Sequence, residues 1–318
     1  EPGALVHVDL FAGCGGFSLG LEQAGFVPGF VNEIDDTARR TYLRNRTRFG
    51  WLSDKELQCG DIAELSRRPA RMRGLRDKLR EMGLERGRVD LLVGGPPCQG
   101  YSTLGHRRSY GVPKDQIPSN FLYKEMLRTI RALQPKTFVF ENVKGLLLGS
   151  WNSSEEKGSV WSTVFGDFLG LSRQGYQVAA ALVHARDYGV PQNRPRLLIV
   201  GIHSDFAVLP PGESRGDELF ALDAVKRGFL PPPSRLKAPG PRALLDDLVD
   251  PGYVPGQLFT SRYESSARTK VAREFRTCPD GYVLRAGDPV PGHDTPRHAP
   301  RPLGGVKALP CAARCARP

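Results

Sequence analysis

The stretch Val6-His7-Val8-Asp9-Leu10-Phe11, running straight into Ala12-Gly13-Cys14-Gly15-Gly16-Phe17-Ser18-Leu19-Gly20, leaves this chain few folds to choose from. It reads as a buried strand, a glycine-rich turn and a helix from about Gly16 to Ala24. Glycines there let backbone approach a ligand closely, and the helix points its positive end at an anionic group. The spacing Gly13-x-Gly15-Gly16 is not the dinucleotide Gly-x-Gly-x-x-Gly pattern, although Gly20 lies nearby, so a plain NAD site is disfavoured.

Further apolar runs of strand length each end in a residue able to do chemistry. Val27 to Val31 ends in Asn32-Glu33-Ile34-Asp35, placing Glu33 where a carboxylate can accept both hydroxyls of a ribose. A short third strand closes on Cys59-Gly60-Asp61-Ile62, where Asp61 suits an adenine amino group and Ile62 is available to pack on the ring. Taken singly, each acid also fits a helix cap or a solvated loop. Taken in order after a glycine loop, they describe an adenosine-bearing cofactor.

Asp90-Leu91-Leu92-Val93 leads into Gly94-Gly95-Pro96-Pro97-Cys98-Gln99-Gly100-Tyr101-Ser102. The glycines permit a sharp turn and the prolines fix φ, so Cys98 is presented on a rigid turn and reads as a nucleophile. The plain alternative is a buried cysteine in a Pro-Gly loop. Pro135 to Phe140 is a β-rich run ending at Glu141-Asn142-Val143, which places Glu141 at the same sheet edge as Cys98. A half-buried carboxyl there would have its proton affinity raised, as a general acid requires, and a simple surface acid is the alternative. Downstream, Gln192-Asn193-Arg194-Pro195-Arg196 feeds Leu197 to Val200, and two arginines two apart on extended chain project to one side. That face suits a phosphate or a base edge, or else it is a solvated basic turn.

These blocks, in this order, resemble the cytosine-5 DNA methyltransferase family over roughly residues 5 to 201. The matching blocks are Phe11 to Gly16, Glu33, Asp61, Pro96-Pro97-Cys98, Glu141-Asn142-Val143 and Gln192 to Arg196, and the segment Asn120 to Glu125 is similar to one that borders the family's cofactor. The resemblance implies an α/β fold, a doubly wound, mostly parallel, Rossmann-like sheet with a smaller irregular C-terminal recognition region. It implies transfer of a methyl group from S-adenosylmethionine to C5 of a flipped cytosine through a covalent Cys98 adduct. The catalytic set is then Cys98, Glu141, Arg194 and Arg196. The cofactor set is Phe11, Ala12, Gly13, Gly15, Gly16, Glu33, Asp61, Ile62, Pro96 and Leu122. A tRNA cytosine-5 methyltransferase and a non-catalytic DNA-binding remnant are the alternatives.

A formal charge of +11 and an isoelectric point near 9.5 suit double-stranded DNA as partner, although arginine-rich composition alone also follows from a GC-rich genome. The six cysteines form no C-x-x-C pair, so no metal site and reduced thiols are expected. No membrane-spanning run or signal segment is visible, and a bacterial, cytoplasmic, nucleoid-associated protein is expected. Helices are expected over 36–45, 71–82, 121–133 and about 160–171, with Arg71 to Met82 as a solvated face. The Gly-bearing basic stretch Thr103 to Gly111 reads as a mobile loop closing over DNA.

Organisation divides near Gly201, into a catalytic domain over 1–201 and a partial recognition region over 202–318, with Pro231-Pro232-Pro233 as a stiff linker. The family's Arg-Leu-Thr block and its closing Gly-Asn-Ala-Val-Pro-Pro-like block are not found. Pro302 to Pro318 is a Gly/Ala/Pro-rich tail, so truncation or a frameshift is expected, with a second polypeptide supplying the remaining part of the pocket.

Overall fold

The computed structural model describes residues 4–84, 87–97, 114–152, 154–206, 221–234, 237–249, 251–252, 262–278 and 281–290. Cys98, the expected closing loop at 103–111 and the tail from 291 onward lie outside the described residues.

Seven strands form one sheet in the order β3-β2-β1-β4-β5-β7-β6. They are β1 Leu5–Leu10, β2 Phe26–Asn32, β3 Gln58–Cys59, β4 Leu91–Gly94, β5 Thr137–Val143, β6 Tyr176–His184 and β7 Pro195–His203. The pairs among β1 to β5 are parallel, whereas β7 lies antiparallel to both β5 and β6. The order reverses at β1, and the parallel strands open their carboxyl ends at Phe11, Glu33, Gly95 and, on β5, Glu141. A doubly wound sheet gathers ligand groups at such ends.

Period-two patterning sorts the residues of each strand between the two faces. On β1, Val6, Val8 and Leu10 enter the main core, while His7 and Asp9, on the opposite face, are also buried. On β5, Phe138, Phe140 and Asn142 are buried and Glu141 is on the other face.

Helices α1 Gly16–Gln23, α2 Asp36–Arg44, α3 Ile62–Ser66, α4 Pro69–Glu81, α5 Tyr123–Leu133 and α6 Ser159–Leu169 follow the strands. Caps explain where two of them start. Asp35 accepts from the Ala38 N–H to open α2, and Asp61 accepts from the Ala63 N–H to open α3. The α4 segment, expected as a solvated face, is amphipathic: Met72, Leu75 and Leu79 enter the main core while Arg73 and Arg80 are exposed.

The chain divides into two compact units, Glu1–His184 with Pro195–Pro232, and Ala185–Arg194 with Pro233–Pro318. One limit between the units falls inside the Pro231-Pro232-Pro233 run. The reason is α7 Ala221–Lys226, whose Ala224, with the following Phe229, packs against Ala179, Ala181 and Val200 and returns this part of the chain to the sheet. The second unit contains α8 Pro241–Leu245 and α9 Lys270–Arg276, tied by Arg276 to the buried Asp247 carboxylate at 3.0 Å. Among the described residues, no helix is long and apolar enough to cross a membrane.

Candidate active site

The glycine turn after β1 is held from the β2 side. Asn32, 1% exposed, accepts from the Phe11 N–H through Oδ1 at 3.2 Å and donates through Nδ2 to the Gly60 carbonyl at 2.8 Å. One side chain thereby fixes the loops after β1 and β3. Phe11 itself adopts φ +59°, a left-handed conformation that costs a bulky residue about 1–3 kcal/mol and persists only where the surroundings impose it.

Glu33 receives two backbone donors, the Gly13 N–H on Oε2 at 2.7 Å and the Asp35 N–H on Oε1 at 2.8 Å. Its carboxylate is thus fixed against the glycine turn. A Cβ placed at Gly13 or Gly16 would meet nothing within 4 Å, so the turn is open to a ligand on that side. This donor set fits an adenosine-bearing cofactor: a fixed carboxylate for ribose hydroxyls beside backbone that a ligand can approach.

Asp61 is exposed and spends Oδ1 on its capping bond to Ala63 at 2.9 Å. Ile62, expected to offer a face to a ring, is 3% exposed and packed into the main core. Its helix α3 is anchored by Glu125 of α5, whose buried carboxylate accepts from Ser66 at 2.5 Å, from Arg128 at 2.5 Å and from Arg67. Burial works to raise the Glu125 pKa, but these hydrogen bonds outweigh it and bring it down to about 2. Leu122, half-buried, immediately precedes α5.

β4 leaves the sheet through Gly94-Gly95-Pro96-Pro97, with Pro96 buried and Pro97 exposed. The turn approaches β5 at two points. Asn142, 4% exposed, donates from Nδ2 to the Pro96 carbonyl at 3.4 Å. Gly95 passes so close to β5 that a Cβ there would stand 3.2 Å from Glu141 Oε2. Glu141 is 28% exposed, and its Oε1 lies 2.5 Å from Nε of Arg196 on β7.

The two arginines expected to share a face are placed differently. Arg196 is committed to Glu141, while Arg194 is exposed and belongs to the second unit, its N–H on the Gln192 carbonyl at 3.1 Å.

Residues 5–271 match the family of C-5 cytosine-specific DNA methylases. The chain belongs to that family. It is 32% identical over 252 residues to the type II methyltransferase M.HgiCII of Herpetosiphon aurantiacus, covering 77% of this chain and 48% of that one. It is 31% identical over 267 residues to M.BsuRI of Bacillus subtilis, covering 81% and 53%. The chain thus spans about half the length of the curated relatives it matches. A crystal structure of an E. coli prophage protein assigned as a DNA modification methyltransferase superposes with a TM-score of 0.53 at 24% identity, covering 84% of this chain and 61% of that one, a likeness of fold.

Within this C-5 cytosine methylase framework, Asn32 and Asn142 are the residues that reading for acids and nucleophiles passes over. Each bonds a backbone group of a neighbouring loop. The only sequence signal for either is an asparagine next to the acid that ends a strand.

Proposed function

We propose that this chain methylates C5 of cytosine in double-stranded DNA, with Cys98 as nucleophile and Glu141 as the group that activates the ring. The observation that carries this is Glu141, held between Arg196 and the Gly95 backbone at the root of the turn that leads to Cys98.

C5 of cytosine is a poor nucleophile. Addition of the Cys98 thiolate to C6, with Glu141 hydrogen-bonding or protonating N3, places electron density at C5. S-adenosylmethionine, when bound, supplies the methyl group that C5 takes up. Loss of the C5 proton and cleavage of the S–C6 bond then regenerate the thiolate and release 5-methylcytosine. Glu33, Asp61, Leu122, Pro96 and the turn from Phe11 to Gly16 are the residues proposed to hold the cofactor. Ring faces are inaccessible in a stacked duplex, so the target base is flipped out at a cost of about a few kcal/mol.

Double-stranded DNA is the proposed partner, in the compartment that holds it, and a further segment or a second polypeptide is proposed to answer to the rest of the relatives' length. Transfer of labelled methyl to mixed-sequence DNA and to tRNA, by the chain and by Cys98→Ser, tests the reading. Label on DNA that vanishes in the variant is expected. Label on tRNA alone, or none from a folded chain that binds both DNA and S-adenosylhomocysteine, would overturn it.

A further inference from the structure

Under the glycine turn lies a buried polar network that the proposed chemistry does not use. Arg46, just past the end of α2, is 3% exposed. Its Nη2 donates to the Gly15 carbonyl at 2.8 Å, its Nε to Glu22 of α1 at 2.5 Å and its Nη1 to the Tyr42 carbonyl at 3.3 Å, and its guanidinium lies 3.9 Å from the Tyr42 ring centroid. The Gly15 carbonyl also accepts the first bond of α1, from the Leu19 N–H at 2.9 Å, so both its lone pairs are taken.

The fit at Gly15 is specific to this pair. Gly15 adopts φ +89°, and a Cβ there would stand 2.4 Å from Arg46 Nη1 and 2.6 Å from Tyr42 Cδ2. The guanidinium fills the space that only a glycine leaves. A second cluster adjoins the first. Ser18 of α1 donates to Asp9 Oδ2 at 2.5 Å, with Tyr42 Oη at 2.8 Å and His7 Nε2 at 3.0 Å. Since the single Ser18 proton goes to Asp9, Tyr42 and the Nε2–H tautomer of His7 donate to Ser18.

We infer that Arg46 is a positioning residue for the cofactor, holding the Gly13 to Gly16 turn in its ligand-accepting shape through the Gly15 carbonyl; this rests on the cofactor reading above. A buried ion pair is a poor source of stability, because desolvation of both partners offsets their attraction. Its effect here is geometric. The guanidinium acceptor is a loop carbonyl, so satisfying Arg46 allows the turn one backbone conformation. That same turn supplies the Gly13 N–H that fixes the Glu33 carboxylate.

The test is calorimetric titration of S-adenosylhomocysteine into the full chain and its Arg46→Lys variant, with thermal unfolding as the check on folding and DNA affinity measured alongside. Arg46→Lys is expected to weaken S-adenosylhomocysteine tenfold or more, to leave DNA affinity within twofold, and to raise KM for the methyl donor while kcat at saturation stays within about threefold. Gly15→Ala approaches the same contact from the loop side, and it carries the test if Arg46→Lys does not fold. It is expected to weaken the ligand equally, with the two effects less than additive when combined. A folded Arg46→Lys or Gly15→Ala that binds as the parent chain does would overturn the inference. A parent chain that binds no S-adenosylhomocysteine would instead overturn the cofactor reading itself.

Discussion

Arg196 on β7 reaches Glu141 on the antiparallel strand β5 diagonally: its Nε is 2.5 Å from Oε1, although Glu141 pairs in register with Leu198 and Arg196 with Val143. Only an antiparallel β7 in this register places the arginine on the face and at the end of β5 where the acid stands. β7, which lies between β5 and the edge strand β6, therefore brings an arginine on to the Glu141 carboxylate.

Arg196→Ala removes the group that fixes Glu141. It is expected to slow single-turnover methyl transfer by about 10²-fold, comparable to loss of one preorganised donor in a site of this kind. Arg196→Lys retains the charge without the planar fork and falls between the two. Rates within twofold of the parent for both variants would show that the pair is structural only.

Gly95→Ala tests the approach of the proline turn to β5. The added methyl group, 3.2 Å from Glu141 Oε2, forces the carboxylate aside by a few tenths of an ångström. Expected is a fall of about tenfold or more in methyl transfer with a stability change below about 1 kcal/mol, read by denaturant unfolding.

The buried cluster under α1 makes stability depend on pH in a particular way. Burial raises the Asp9 pKa from 3.8 to about 7, against the opposing Ser18 hydrogen bond and Arg46 charge. Its folded pKa lies above the unfolded one, so folding takes up a proton and the Asp9 contribution declines as pH rises from about 4 to about 7. Burial, aided by Arg46, lowers the His7 pKa from 6.5 to about 4, so its contribution is lost as pH falls through the same range. The two oppose each other between about pH 4 and 6.5. Asp9→Asn removes one of them, and its stability relative to the parent is expected to improve on the order of 4 kcal/mol from pH 4 to pH 8. Parallel stability profiles would contradict the assignment.

Glu125 anchors α3 to α5 and is held ionised by Arg67, Ser66 and Arg128. Glu125→Ala leaves a gap at the buried carboxylate position, while Arg67 and Arg128, 62% and 46% exposed, turn to water, and a loss of about 1–2 kcal/mol is expected by chemical denaturation. Since the folded pKa is depressed, the Glu125 contribution is full above its ordinary value and disappears as pH falls towards 2. A loss below about 0.5 kcal/mol would show that α3 is held by the core alone.

The parts of the fold legible in the sequence are those where local pattern and tertiary placement agree. Apolar runs leading to Gly13, Glu33 and Glu141 mark strands because their apolar residues are buried, on both faces in β1 and β2 and on one in β5, and Asp35 marks a helix start because its side chain caps it. Strand β6 was not legible: Tyr176 to His184 is alanine-rich, bounded by weak turn signals, and becomes a strand by pairing with β7. Helix α7 is illegible for a related reason, since it is short and is placed by the sheet face that its Ala224 covers. Arg46 stands among Arg39, Arg40, Arg44 and Arg48, a run that looks like a solvated basic face. Nothing local distinguishes the one arginine that folds inward on to Gly15. Arg194 and Arg196 look equivalent in sequence, yet they belong to different units because the chain leaves the sheet between His184 and Pro195.

The most direct measurement of the central claim is formation of a covalent complex between this chain and duplex DNA carrying 5-fluorocytosine, in the presence of S-adenosylmethionine, resolved on a denaturing gel. Fluorine at C5 cannot leave as a proton, so an adduct once methylated cannot eliminate the cysteine. A slow-migrating complex that is absent with Cys98→Ser and strongly reduced with Arg196→Ala is predicted. A complex that persists in Cys98→Ser, or none from a chain shown to be folded and to bind both DNA and S-adenosylhomocysteine, would contradict the mechanism.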